Sequence, residues 1–104
     1  MDVFCETGVF SRASTLSLLK AGLFLGLSPN FHGEELSFIN SATLCDEVAV
    51  TAISHLEYVD DKGVESMAKN GAKAILLPTS QYTLKLKPPP ARDMIEKGVT
   101  VALG

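Results

Sequence analysis

Short apolar runs alternate along this chain with segments of helical periodicity, and this alternation constrains the fold more than any other feature. The sequence predicts strands at residues 2–5, 28–32, 52–55, 74–77 and 99–103. Helices are predicted between them, with starts near Ser14, Asn40 or Ser41, Asp60 and Ala91. Strict strand–helix alternation requires parallel strands joined by right-handed crossovers. The chain is therefore predicted to be an α/β protein with about five parallel strands and four helices.

The length of 104 residues allows one small domain. Two architectures fit the alternation within this length. One is a small doubly wound sheet, and the other is a contiguous piece of a (β/α)₈ TIM barrel, which needs about 250 residues to close. The last predicted strand runs to Gly104 with no loop after it, and this favours the partial barrel.

Local signals predict the faces and ends of the helices. Leucines spaced three or four residues apart predict the inner face of the first helix, at Leu16, Leu19, Leu23 and Leu27. Either Ser11 or Ser14 can cap this helix. The third helix is expected to end at Asn70-Gly71. Residues 79–90, which include the Pro88–Pro90 run, are predicted to form an ordered loop at the rim of the sheet.

Composition and charge exclude several classes of partner. The net charge is −3 and the 9 lysines and arginines are scattered, whereas a nucleic-acid binder needs a clustered basic face. No run of about 18 apolar residues is present, and the Met1-Asp2 start lacks the positive region of a signal peptide. Cys5 and Cys45 fit no metal-binding spacing and are expected to be buried, reduced thiols. We therefore expect a cytoplasmic protein with no membrane or nucleic-acid partner.

The chain has 2 histidines, and each lies at the end of a predicted strand. His32 is followed by Glu34 and Glu35, and His55 is followed by Glu57. The carboxyl ends of parallel strands meet at one edge of the sheet, where functional residues of α/β proteins gather. Other polar residues expected at this edge are Glu6 and Thr79. The sequence therefore predicts a functional site at the carboxyl edge.

These strand-end residues allow two interpretations. One imidazole could bind a metal while the other polarises a substrate carbonyl, or both rings could simply be satisfied by backbone carbonyls. Glu34 is expected to be solvated, as loop carboxylates usually are. Glu35 can instead fold back towards the strand that carries His32 and shuttle a proton there. Glu57 is expected to be a supporting or surface carboxylate.

Five segments of the chain resemble, in order, the fourth to eighth barrel strands of the imidazolonepropionases, a family of the amidohydrolase superfamily. These segments are Asp2–Glu6, His32–Leu36, Ser54–Tyr58, Ile75–Thr79 and Val99–Gly104, with Pro89–Arg92 also in register. The resemblance implies that residues 1–104 form a single incomplete segment of an amidohydrolase barrel.

The resemblance also implies an activity and a set of site residues. Family members are metal-dependent hydrolases of histidine degradation, which convert 4-imidazolone-5-propanoate to N-formimidoyl-L-glutamate with one zinc or iron ion. By this similarity, His32 is a metal ligand, Glu35 is the catalytic carboxylate that handles protons, and His55 is the catalytic histidine that faces the substrate carbonyl. The implied partner is a small-molecule substrate, and the complete enzyme is implied to be a homodimer.

The match departs from the family in its metal ligands. The His-x-His pair of the first barrel strand and the aspartate after the eighth strand are not among these residues. His32 is then the one expected ligand, whereas a catalytic zinc needs about three. We therefore expect little or no activity from the isolated chain. The alternative interpretations are a fragment of another amidohydrolase or deaminase, and a non-catalytic module that pairs with the complete enzyme.

Overall fold

Five β-strands alternate with helices in the computed structural model, which describes all 104 residues. The strands are β1 (Asp2–Cys5), β2 (Asn30–Gly33), β3 (Ala52–His55), β4 (Lys73–Leu76) and β5 (Val101–Leu103). The α-helices are α1 (Arg12–Phe24), α2 (Asp61–Asn70), α3 (Pro78–Leu84) and α4 (Ala91–Glu96). A short 3₁₀ helix, Ala42–Asp46, lies between β2 and β3. The prediction of an α/β chain with five strands and four helices is confirmed.

The strands form one parallel sheet in the order β1-β2-β3-β4-β5, so each strand pairs with its neighbour in sequence. The register aligns His32 with Phe4 on one side and with Ser54 on the other. A doubly wound sheet reverses its strand order at a switch point, and this sheet has no reversal. Sequential parallel pairing is the arrangement of a (β/α)₈ barrel, so the chain is a partial barrel.

The two faces of the sheet differ in burial because successive side chains of a strand point to opposite sides. The row that packs against the helices is almost fully buried and consists of Val3, Phe31, Ile53 and Ala74. It forms one core cluster with residues of α1, α2 and α4, namely Leu19, Val64, Met67 and Met94. The opposite row is less buried and includes Phe4, His32, Ser54 and Ile75. His32 therefore lies on the open face of the sheet, away from the core.

The ends of α1 and α2 follow their sequence signals. The Ser11 hydroxyl accepts a hydrogen bond from the N–H of Ser14 at 3.1 Å and caps α1. The Asp60 carboxylate accepts one from the N–H of Gly63 at 2.8 Å and caps α2. Gly71 follows α2 with a φ of 72°, the left-handed conformation that favours glycine after a helix.

The predicted inner face of α1 is only partly correct. Leu19 is fully buried, but Leu23 and Leu27 are 39% and 46% exposed. Gly22 of α1 lies against Met1, the residue before β1, and an added Cβ there would lie only 1.8 Å from the Met1 sulfur. This close approach sets the orientation of α1. The side of the helix that is buried therefore differs from the side that carries the predicted leucines.

Two other predictions of secondary structure are wrong, one of a helix and one of a loop. The segment predicted to be a helix from Asn40 or Ser41 forms only the 3₁₀ helix, and Ser41 makes no side-chain cap to it. The predicted loop at 79–90 begins instead with α3, in which Pro78 occupies the first turn and no residue is buried. Proline is favoured in the first turn of a helix because its missing N–H is not needed there. A short helix without an apolar stripe leaves no periodic signal in the sequence.

Both cysteines are buried free thiols, as predicted. Burial raises the pKa of the Cys5 thiol, and it raises the pKa of the Cys45 thiol to about 12. The thiolate is the reactive form of cysteine, so at neutral pH Cys45 is a packing residue. None of the helices has both the length and the apolar character needed to cross a membrane.

Candidate active site

The two histidines meet at the carboxyl edge of the sheet, with ring centroids 5.3 Å apart and ring planes tilted by 52°. Strand register alone does not explain this contact, because His32 pairs with Ser54 and His55 pairs with Gly33. Alternation would place the two rings on opposite faces. His55 has a φ of 80°, which takes its Cα–Cβ bond out of the alternation and turns the ring towards His32.

The backbone at the end of β3 is strained. His55 and Leu56 have consecutive positive φ values of 80° and 71°. Each such residue costs about 1–3 kcal/mol and persists only where surrounding contacts hold it. Leu56 is fully buried, and its N–H donates to the carbonyl of Gly33 at 3.2 Å. Strain of this kind clusters at functional sites, so its position beside the histidine pair supports a site at this edge.

The imidazole of His55 lies between two carboxylates. Its Nε2 is 3.4 Å from Oε2 of Glu35, and its Nδ1 is 3.8 Å from Oε2 of Glu57. His55 is 5% exposed and Glu35 is 9% exposed, whereas Glu57 is fully buried. Glu35 thus folds back to the carboxyl edge, and Glu57 is a buried and not a surface carboxylate. A carboxylate and an imidazole held this close, and away from bulk water, can exchange a proton.

His32 has a carboxylate neighbour of its own that sequence reasoning did not identify. Its Nδ1 is 2.6 Å from Oδ2 of Asp2, on the open face of the sheet. A carboxylate on one ring nitrogen fixes the orientation of the ring and leaves the other nitrogen available, as is common behind metal-binding histidines. No three His, Cys, Asp or Glu side chains come together in a group that could hold a metal ion. A single imidazole supplies at most one metal ligand, so these 104 residues do not hold a complete metal site.

Glu6, at the end of β1, holds the loop that carries Glu35. Its buried carboxylate accepts hydrogen bonds from the N–H groups of Leu36 and Thr7, both at 2.9 Å. It also accepts one from the hydroxyl of Ser37. Because Leu36 and Ser37 directly follow Glu35, these bonds fix the backbone that places Glu35 beside His55.

The prediction that Glu34 is solvated is wrong, because its side chain is fully buried. Its Oε1 accepts hydrogen bonds from the N–H and the hydroxyl of Ser41 and from the N–H of Ala42. Burial raises the pKa of the Glu34 carboxyl. Glu34 thus supplies the acceptor that the start of the 3₁₀ helix lacks, and the two adjacent glutamates have different partners.

Glu6 makes the stability of the chain depend on pH. Burial raises the pKa of its carboxyl, but the hydrogen bonds from Ser37, Leu36 and Thr7 outweigh burial and hold the pKa below its ordinary value of 4.5. The folded state then binds the proton more weakly than the unfolded state. The stabilisation is therefore present above pH 4.5 and lost as the pH falls through the folded-state pKa.

Glu6→Gln is expected to lower the free energy of unfolding by about 1–3 kcal/mol at neutral pH, because hydrogen bonds to a charged group are lost. In acid, where Glu6 itself is protonated, the difference from the unsubstituted chain should shrink. Urea unfolding near neutral pH and near pH 3 measures both values. Glu96→Gln, at an exposed position of α4, is the control. A Glu6→Gln deficit of equal size at both pH values would contradict the assignment.

Solved structures with a similar fold include a guanine deaminase from C. acetobutylicum with bound guanine, at a TM-score of 0.75 and 18% identity over 98% of this chain and 28% of that chain. An amidohydrolase from a Sargasso sea sample has a TM-score of 0.72 and 23% identity over 100% of this chain and 24% of that chain. Atrazine chlorohydrolase TrzN from Arthrobacter aurescens, complexed with zinc, has a TM-score of 0.71 and 13% identity over 96% and 25% of the two chains. At these identities the likeness concerns the fold alone, which is that of part of a (β/α)₈ barrel.

No family model matches the chain. Curated proteins are much closer in sequence than the solved structures. The probable imidazolonepropionase of Danio rerio is 56% identical over 104 residues, and that of Homo sapiens is 52% identical over the same length. The match covers 100% of this chain and 24% of each of those proteins. Over its whole length the chain is therefore similar to the imidazolonepropionases, and it spans about a quarter of the length of the curated relatives it matches.

Proposed function

We propose that residues 1–104 form the fourth to eighth barrel strands of an imidazolonepropionase, which hydrolyses the ring amide of 4-imidazolone-5-propanoate to N-formimidoyl-L-glutamate. The observation that carries this proposal is the 3.4 Å contact between Glu35 Oε2 and His55 Nε2 at the carboxyl edge, beside the ring of His32. The identity of 50–56% to proteins of that name over the whole chain supports it.

Hydrolysis of a ring amide needs a group that takes a proton from water, a group that stabilises the oxyanion, and an acid for the departing nitrogen. In our proposal, Glu35 takes the proton from the attacking water and later delivers it to the ring nitrogen. His55 faces the substrate carbonyl and shares the proton with Glu35 through Nε2. The near-complete burial of both side chains supports this assignment, since removal from water strengthens these interactions.

We assign His32 as one ligand of a zinc or iron ion. The carboxylate of Asp2 beside its Nδ1 supports this role, because it leaves Nε2 available on the open face. When bound, the metal supplies Lewis acidity to the water and the substrate carbonyl. The remaining ligands would come from parts of the complete enzyme outside these 104 residues. In this proposal the complete enzyme is a cytoplasmic homodimer that acts on a small molecule.

A chimeric enzyme, called the graft below, tests the proposal. The segment of the Danio rerio relative that matches this chain, 24% of its length, is replaced by residues 1–104. The grafted protein is expected to bind a metal and to hydrolyse 4-imidazolone-5-propanoate, as followed by loss of the substrate and appearance of N-formimidoyl-L-glutamate. The unmodified relative is the positive control. A folded, metal-loaded graft that does not turn over this substrate would overturn the proposal.

The isolated chain provides the complementary measurement. It is expected to show no turnover in a buffer supplemented with zinc or iron, because one histidine cannot hold a metal that needs about three protein ligands. Guanine and other cyclic amides and amidines are tested with the graft in parallel. Turnover of one of them in place of the imidazolone would favour a deaminase or another amidohydrolase.

A further inference from the structure

Glu57 is a fully buried carboxylate, and neither of its oxygens has a hydrogen-bond partner in the structure. An unpaired buried carboxylate is strongly destabilising because it loses its hydration and gains nothing in return. A side chain of this kind is retained where it has a nearby charge or donor to satisfy. A donor close to the Glu57 carboxylate would therefore indicate its role.

That donor is the imidazole of His55. Its Nδ1 is also buried without a hydrogen-bond partner, and it lies 3.8 Å from Oε2 of Glu57. The other ring nitrogen, Nε2, is 3.4 Å from Oε2 of Glu35. Each nitrogen of the ring thus faces a different carboxylate. Nδ1 and Oε2 of Glu57 lie slightly beyond hydrogen-bond distance, and each is a partner of the kind that the other lacks.

We propose that Glu57 is a positioning residue that accepts the Nδ1–H hydrogen bond of His55 and thereby keeps Nε2 turned towards Glu35. This inference rests on the proposed function of the site. A neutral imidazole carries its proton on one nitrogen and a lone pair on the other, and the hydrogen bond at one nitrogen decides which. With the proton on Nδ1, the lone pair is on Nε2, on the side where the substrate and Glu35 meet.

The assignment has a chemical consequence for the proton that Glu35 carries. When the O–H bond of a protonated Glu35 breaks, Nε2 can form an N–H bond with the same proton. The product is an imidazolium between the Glu35 and Glu57 carboxylates, and the transfer back regenerates the starting state. If the proton of neutral His55 were on Nε2, this exchange would be blocked at its first step.

The first test measures which ring nitrogen of His55 carries a proton. A long-range proton–nitrogen correlation spectrum of the isotope-labelled chain reports this directly, and the 2 histidines are assigned by the signals that His55→Gln removes. We expect a proton on Nδ1 of His55 in the unsubstituted chain. Glu57→Gln has nearly the same shape but is uncharged and can present either its oxygen or its N–H to Nδ1, so the fraction of His55 with its proton on Nδ1 should fall.

Glu65→Gln is the matched control, since Glu65 is an exposed carboxylate on α2 that pairs with Lys97 at 3.6 Å. It should leave both ring nitrogens unchanged. A His55 without a proton on Nδ1 in the unsubstituted chain would overturn the proposal, as would a Glu57→Gln spectrum identical to that of Glu65→Gln. Neither spectrum depends on enzyme turnover. The test of Glu57 can therefore fail or succeed whether or not the proposed hydrolase function is correct.

The second test places Glu57→Gln in the grafted enzyme. Loss of a residue that orients a site histidine is expected to lower kcat by about 10- to 100-fold. KM should change by less than about twofold, because Glu57 is buried behind His55 and does not contact the substrate. A metal content equal to that of the unsubstituted graft shows that the protein is intact. An unchanged kcat would overturn the proposal, whereas an inactive unsubstituted graft would instead contradict the proposed function.

Discussion

Glu35→Gln in the grafted enzyme is expected to lower kcat for 4-imidazolone-5-propanoate by about 10²- to 10⁴-fold, the usual contribution of a positioned acid–base group. The amide keeps the shape of the side chain but cannot accept and return a proton. Metal content should be retained, because the assigned ligand of this chain is His32. Steady-state kinetics and metal analysis of the purified variant measure the two effects separately.

Glu34→Gln is the matched control for Glu35→Gln. Glu34 is even more deeply buried than Glu35, but its Oε1 bonds to Ser41 and Ala42 and not to the histidines. Glu34→Gln keeps a carbonyl oxygen for these bonds and should retain kcat within about tenfold in any protein that folds. If Glu34→Gln were as inactive as Glu35→Gln, or if Glu35→Gln were fully active, the assigned proton-transfer role would be wrong.

Phe31→Ala is expected to destabilise the chain by about 3–5 kcal/mol, since it empties the largest fully buried side-chain volume of the core. The Phe31 ring fills the space beside Gly33, where an added Cβ would lie 2.9 Å from the ring. β2 carries Phe31 and His32 as adjacent residues, so loss of the ring loosens the strand that holds His32. Urea unfolding followed by circular dichroism measures the cost.

Phe24→Ala is the matched control for this substitution. Phe24 is the same residue type at the end of α1 and is 91% exposed, so its removal should change the free energy of unfolding by less than about 0.5 kcal/mol. Equal effects of the two substitutions would show that the core does not pack around Phe31.

Periodicity and strand-end position were sufficient to predict much of this fold. Apolar runs locate each of the strands, and the capping roles of Ser11 and Asp60 follow from local hydrogen-bond chemistry. Helix α3 could not be predicted in this way, because it buries none of its residues. The face of α1 depends on the approach of Met1 to Gly22, which is a tertiary contact with no local signal.

The sequence places the candidate site residues at strand ends, but it does not predict the geometry of their contacts. Strand ends gave His32, Glu35 and His55, and the family resemblance gave their proposed roles. The contact between the two rings depends on the positive φ of His55, which no sequence rule assigns to a histidine after a strand. The burial of Glu34 depends on Ser41, seven residues away, whose N–H needs an acceptor.

The left-handed backbone of His55 and Leu56 also bears on how this segment could evolve. Asparagine and glycine adopt that conformation more readily than histidine or leucine, so the chain would gain conformational free energy by replacing them. In our proposal, the chemistry of the His55 ring compensates for this conformational cost. Variants selected for thermal tolerance alone would therefore be expected to drift towards asparagine at this turn and to lose activity as they do so.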